Sequence, residues 1–159
     1  MSGYEGINLV VLLGSASDLP VIESMEPLCQ RLNLTMKVEI CSAHRQPEKL
    51  HQVIGEAEAA GVEIFVAAAG MAAHLPGVTA SLTDRPVIGV PVAAGPLAGV
   101  DAMLSMVQMP PGVPVATVAV GSAGAKNAVV LAARMLALKD PAVAEALAAY
   151  REVLAQGGK

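Results

Sequence analysis

The run Asn8-Leu9-Val10-Val11-Leu12-Leu13 is almost unbroken in apolar side chains and stops at Gly14, the pattern of a strand covered on both faces, as strands of parallel sheets are. Ser17, Asp18 and Pro20 supply helix-start chemistry after it, and the spacing predicts a helix over about 19–32. A short strand follows at Met36–Cys41, and Pro47 with Glu48 opens a helix that Gly61 stops. The alternation continues with a strand over 62–69, a short helix over 73–82, a strand over 86–92, a helix over 100–108 and a fifth strand over 113–121. Residues 125–138 are apolar almost all round apart from Lys126, Asn127 and Arg134, which calls for cover on more than one side. Residues 142–156 put Val143, Leu147, Tyr150 and Leu154 on one face, an ordinary amphipathic helix. Strands and helices alternating at these lengths predict a three-layer α/β domain around a doubly wound parallel sheet of about five strands, with extra C-terminal helices. Residues 1–159 read as one domain without repeats or low-complexity linkers.

Composition narrows the partners. The chain has 159 residues, 54% apolar and 15% charged, against a usual charged share of about 25%. The longest stretch without Asp, Glu, Lys or Arg, 102–125, is long enough to cross a bilayer. Pro110, Pro111, Gly112 and Pro114 interrupt it, so it is no membrane helix and no membrane partner is expected. Ten basic against 14 acidic residues give a net charge of −4, which leaves no basic field for a nucleic-acid backbone. An aromatic share of 2% leaves no stacking platform either. Cys29 and Cys41 cannot make a disulfide framework, and their spacing to the three histidines fits no zinc pattern; no metal is expected. The stretch Met1–Gly6 lacks the positive region of a secretory signal, so the expected compartment is a reducing cytoplasm. The surplus of apolar residues, above all in 125–138, points to a homo-oligomer. Met103, Met106 and Met109 read as core filler.

In such folds ligands bind beyond the carboxyl ends of the strands. The loops that follow the first three strands hold Ser15, Ser17, Asp18, Ser42, His44, Arg45 and His74. Gly14-Ser15-Ala16-Ser17-Asp18 joins a strand to a helix, where backbone N–H groups favour an anion. It has no Walker lysine and no dinucleotide spacing, so a single phosphate or a sugar suits it better than a triphosphate. Asp18 suits ribose hydroxyls. The spacing equally allows Ser17 and Asp18 to be no more than helix caps. In Ser42-Ala43-His44-Arg45-Gln46-Pro47, His44 is a side chain able to give and take a proton near neutrality, and Arg45 offers a planar fork for phosphate or carboxylate. Taken alone the pair also fits a solvated surface. Gly70-Met71-Ala72-Ala73-His74 lets backbone approach a ligand closely, with His74 a ligand contact or a helix-terminus hydrogen bonder. His51 reads as a solvated or packing residue.

Several ordered motifs together resemble the phosphoribosylaminoimidazole carboxylase catalytic-subunit (PurE) family over about Leu9 to Leu138. They are Gly14-Ser15-Ala16-Ser17-Asp18, Ser42-Ala43-His44-Arg45, Ala72-Ala73-His74-Leu75-Pro76-Gly77, Pro86-Val87-Ile88-Gly89-Val90-Pro91-Val92, Ser105-Met106-Val107-Gln108-Met109-Pro110 and Ala123-Gly124-Ala125-Lys126-Asn127-Ala128. The resemblance implies a flavodoxin-like fold, a homo-octamer with active sites at subunit contacts, and cofactor-free conversion of N5-carboxyaminoimidazole ribonucleotide to its 4-carboxy isomer in purine (IMP) biosynthesis. It implies His44 as the catalytic acid/base, Ser15, Asp18 and Arg45 as substrate-binding residues, and Ser17, Ser42, Gly70 and His74 as further active-site positions. Direct carboxylation of aminoimidazole ribonucleotide by carbon dioxide and the related carboxylase of nickel-pincer cofactor synthesis are the neighbouring activities; a mononucleotide-binding sensor is the non-catalytic alternative. The chain departs from the bacterial pattern at Met71, where a second glycine is usual, at Gln46 in place of Thr, and at Ala93-Ala94-Gly95-Pro96 in place of a more polar stretch. Met71 is expected to narrow a pocket of small side chains at 70–73.

Overall fold

The computed structural model describes residues 3–158; of the N-terminal stretch considered above, Met1 and Ser2 lie outside the described residues. Five strands, β1 (Leu9–Leu13), β2 (Met36–Ile40), β3 (Ile64–Gly70), β4 (Val87–Val92) and β5 (Ala116–Thr117), pair in parallel in the order β2-β1-β3-β4-β5. This is the flavodoxin-like order, which reverses between β1 and β3 and there opens a crevice for a ligand. The helices are α1 (Leu19–Ile22), α2 (Met25–Arg31), α3 (Pro47–Ala59), α4 (His74–Leu82), α5 (Val100–Val107), α6 (Ser122–Leu136) and α7 (Pro141–Ala155).

All five residues of β1 are buried, and their alternation feeds two cores. Leu9, Val11 and Leu13 pack with Val66, Val90, Met25, Leu28, Val129 and Ala132 under α2 and α6. Val10 and Leu12 pack with Phe65, Leu50, Ile54, Leu75 and Met106 under α3, α4 and α5. Burial on both faces is why the strand has no polar period, and it produces the three expected layers. Gly61 stops α3 as the sequence predicts. It stands at φ +90°, with Gly61 N–H donating to Glu58 O at 3.0 Å and Val62 N–H to Ala57 O at 3.0 Å, the paired bonds of a left-handed helix end.

Three expectations need correction. The helix over 19–32 is two helices, because Pro27 has no N–H to give the Glu23 carbonyl and its ring clashes there; placed in the first turn of α2, it needs no partner. The fifth strand keeps only Ala116–Thr117 of 113–121. It has one neighbour, Pro114 removes a donor, and beyond the strand the ladder continues as two separate bonds, Val118 N–H to Gly89 O and Gly121 N–H to Pro91 O. The cover for α6 comes from within the chain: its buried stripe Ala125, Ala128, Val129, Ala132 and Leu136 meets the sheet side, while Val143, Leu147 and Tyr150 of α7 join the same cluster. Leu138, just past α6, stays 89% exposed, and a further uncovered apolar face lies on α5, where Val100, Leu104 and Val107 are 51–55% exposed beside Leu97. Met103 belongs to this outer surface, and of the three methionines only Met106 is fully buried.

The start of α6 is pinned by one glycine. A Cβ on Gly124 would lie 1.6 Å from the Ala119 carbonyl oxygen. Gly124→Ala is expected to lower the unfolding free energy by about 3 kcal/mol, the upper part of the overpacking range, as read from urea denaturation.

Candidate active site

The parallel register ends β1 and β2 level, Leu13 standing beside Ile40, while β3 passes Ala68, the neighbour of Leu13 on the other side, and ends at Gly70. The three following loops therefore leave the sheet side by side. Between them lies a cavity of about 420 Å³, within the size range of small-ligand sites. Every candidate named from the sequence lines it: Ser15, Ser17, Asp18, Ser42, His44, Arg45, Gly70 and His74. His51 does not; it lies on the outer face of α3 beside Glu48 and Gln52.

In the first loop, Ser15 does the capping. Its Oγ accepts from the Ser17 N–H at 3.3 Å and from the Ser17 hydroxyl at 2.9 Å. Two donors fill its two lone pairs, so the Ser15 proton is left to donate. Asp18 occupies the cap position of α1 but makes no capping bond through its side chain, and Ser17 caps nothing in the structure either. The reading of these two residues as mere caps is therefore not met. Burial raises the Asp18 carboxyl above its ordinary range, and a backbone hydrogen bond from Ser15 offsets only part of this.

The second loop is a tight turn closed by the Gln46 N–H donating to Ser42 O at 2.8 Å and the Arg45 N–H donating to Ser42 Oγ at 3.3 Å. Gln46 also reaches back with Oε1, which accepts from the Ser42 N–H at 3.5 Å. Ser42 is thus a buried post of the turn, and it throws His44 and Arg45 outward. Arg45 Nη2 donates to Gly14 O at 3.2 Å, tying the second loop to the first. Cys41, just before the turn, is buried, and burial holds its thiol at a pKa of about 11; it is a poor nucleophile at neutral pH.

His74 is the first residue of α4, entered through Ala73 in the left-handed region at φ +39°. The His44 Nε2 and His74 Nδ1 atoms are 2.5 Å apart, with the rings edge to face at 74°. Such a contact needs a proton on one nitrogen and a lone pair on the other, so the rings orient each other. Gly70 has a steric reason to be glycine: its Cβ would stand 2.7 Å from Ala94 Cβ and 3.2 Å from Val92 O. Ala94, from the loop after β4, is a wall residue that sequence reasoning marked only as part of a departure from the bacterial pattern and not as a site residue, since an alanine carries no chemical signal. Met71 lines the cavity at its rim and is 58% exposed. Among the described residues no group of three or more His, Cys, Asp or Glu could hold a metal ion, and no helix is long and apolar enough to cross a membrane.

Strand order and a histidine-bearing cavity at the switch point define a flavodoxin-like α/β protein with an enzyme-type pocket built of loops. The family model described as AIR carboxylase matches residues 8–157, and the chain belongs to that family. It is 49% identical over 142 residues to the N5-carboxyaminoimidazole ribonucleotide mutase of Pyrococcus abyssi, covering 89% of this chain and 80% of that one. Against the mutase of the same name from Pseudomonas aeruginosa it is 48% identical, covering 89% of this chain and 86% of the relative. The crystal structure of Treponema denticola PurE superposes with a TM-score of 0.86 at 29% identity, covering 94% of this chain and 92% of that one.

The raised Asp18 carboxyl carries a stability consequence. The folded chain holds the Asp18 proton more tightly than the unfolded chain, so this group favours folding below the unfolded carboxylate pKa of about 3.9 and loses that contribution as pH rises through the higher folded value. At pH 7 it opposes folding. Asp18→Asn is expected to melt above the wild type at pH 7 and to lose that margin toward pH 4, as measured by calorimetry.

Proposed function

We propose that this chain moves the carboxyl group of N5-carboxyaminoimidazole ribonucleotide from the exocyclic nitrogen to ring carbon 4, giving 4-carboxy-5-aminoimidazole ribonucleotide in de novo purine (IMP) biosynthesis, without a cofactor. The observation that carries it is the convergence of His44 with Ser15, Asp18 and Arg45 in one cavity, in a chain about half identical to proteins named for this reaction. Arg45 and the Ser15 and Ser17 hydroxyls suit the phosphate, and Asp18 suits the ribose hydroxyls.

The chemistry needs one proton moved twice. As the N–carboxyl bond breaks, the exocyclic nitrogen takes a proton and carbon dioxide leaves; as C4 attacks carbon dioxide, its own proton departs. His44 gives the first and receives the second, so the enzyme returns to its starting state. His74 holds the His44 ring until substrate shares or displaces their contact. Ser42 fixes the turn below, and Gly70 lets the β3 loop close against Ala94.

The apolar face of α5 supports assembly of this small-molecule enzyme with further copies of itself, in the octamer that the family resemblance implies, and its substrate implies a cytoplasmic setting. Charge on that face should break assembly. Leu104→Glu is expected to elute as smaller species than the wild type, with mass read by light scattering; an unchanged mass counts against this face.

Two assays without ATP test the reaction. One supplies N5-carboxyaminoimidazole ribonucleotide, the other aminoimidazole ribonucleotide with labelled bicarbonate. Product from the first without uptake of label is expected; product from the second alone would instead mark a direct carboxylase, and product from neither would sink both. His44→Asn is expected to turn over at least ~100-fold more slowly, the size of a lost acid/base group, with ligand binding largely retained by calorimetry. Full activity of that variant would refute the role of His44.

A further inference from the structure

Met71 leaves β3 in the left-handed region at φ +55°. A residue with a Cβ pays about 1 kcal/mol there, whereas glycine adopts the conformation freely. Such strain persists only where the surroundings hold it. The side chain is no core filler, being 58% exposed while lining the cavity. Its Cγ stands 3.6 Å from where a Cβ on Gly95 would be, so it lies against the loop after β4. Below it, Gly70 and Ala94 are already so close that no Cβ fits between them. That loop, Ala93-Ala94-Gly95-Pro96-Leu97, has no polar side chain. The lining also holds Ser15, Asp18, His44 and Arg45. The cavity thus combines these polar groups with an apolar loop against which a strained methionine lies.

We propose that Met71 is a specificity-determining residue that seals this apolar wall against the loop after β4 and keeps released carbon dioxide beside C4 until capture. The proposal rests on the mutase reading. Carbon dioxide carries no charge and no net dipole, so hydrogen bonds hold it weakly and walls hold it better. After the N–carboxyl bond breaks, two fates compete: attack by C4, with the C4 proton passing to His44, or escape, which leaves aminoimidazole ribonucleotide behind. Met71 acts on that partition and on neither bond. The Met71 Cβ is what makes the left-handed backbone costly, and the thioether beyond it provides the cover.

The test incubates the full chain with unlabelled N5-carboxyaminoimidazole ribonucleotide in labelled bicarbonate, with carbonic anhydrase to equilibrate carbon dioxide. Label in the product and aminoimidazole ribonucleotide released are read per turnover above a blank without enzyme. Met71→Gly is expected to raise both by about fivefold or more, as loss of a water- and gas-excluding wall should, with KM little changed and the melting temperature no lower than wild type. Met71→Ala, which keeps the Cβ and removes only the thioether, should leak likewise, and Met71→Leu should restore retention. Variants that turn over and partition as the wild type overturn the proposal. So does slower turnover with unchanged partition, which would make Met71 a positioning residue. No product from the unaltered chain overturns the mutase reading, and this inference with it.

Discussion

The pairing of β1 with β2 on one side and β3 on the other is the constraint on which the site depends. Because all three run parallel, with β1 and β2 ending together and β3 a short step beyond at Gly70, three chain segments must turn away from the sheet on the same edge. The turns after the neighbours β1 and β3 head in opposite directions around the sheet, since α2 and α4 cover opposite faces, and a crevice opens where they part. β1 and β3 beneath are buried on both sides, so the crevice floor between them is as rigid as any part of the molecule. Polar groups would be costly within that floor. They stand just beyond it, where the backbone leaves the ladder and solvent or ligand can satisfy them. Arg45 crosses this crevice to the Gly14 carbonyl and His44 crosses it to His74. The loops therefore hold each other as well as being held by the strands.

How much of this was legible in the sequence depended on whether an element's environment was local. β1 and β3 are covered on both faces and so read as apolar runs whatever surrounds them. The end of α3 was legible because Gly61 carries its own conformational signal. The break between α1 and α2 was written in Pro27, but the favourable start at Ser17, Asp18 and Pro20 outweighed it. β5 misled for a different reason: an edge strand with a single neighbour pairs only where that neighbour allows, and nothing in 113–121 specifies its partner. The face of α6 misled again, because apolar residues all round say that cover is needed but not whether it comes from α7 or from another chain. In the site, charged and hydroxyl residues were found because they carry chemistry. Ala94 carries none. Whether Ser15 or Asp18 caps the first turn was undecidable from spacing, as both residues suit a cap; only the hydrogen bonds separate them.

The site accumulates local costs that the two cores offset. Asp18 keeps its carboxylate where burial opposes the charge, without the capping bond that would compensate it. Met71 and Ala73 both adopt left-handed backbone within three residues. Ser17 spends its hydroxyl on a serine neighbour rather than on a helix end. Each is a choice that a chain selected for stability alone would not make, and all of them fall on the cavity lining.

The scarcity of charge finally acquires a place in this arrangement. It lies less on α6, whose buried stripe the chain covers itself, than on the run from Leu97 through Val107. That run is the direct continuation of the loop whose Ala94 closes on Gly70 and whose Gly95 lies against Met71. The hinge between them is tight: Gly99, at φ +89°, has no room for a Cβ beside Val120 and the Ala93 backbone. A surface that packs α5 against another copy would therefore also immobilise the apolar wall of the cavity, because loop and helix are joined by a segment with little freedom. The start of the low-charge stretch 102–125 would then serve assembly, and the apolar loop just ahead of it retention of an uncharged intermediate, both by excluding water.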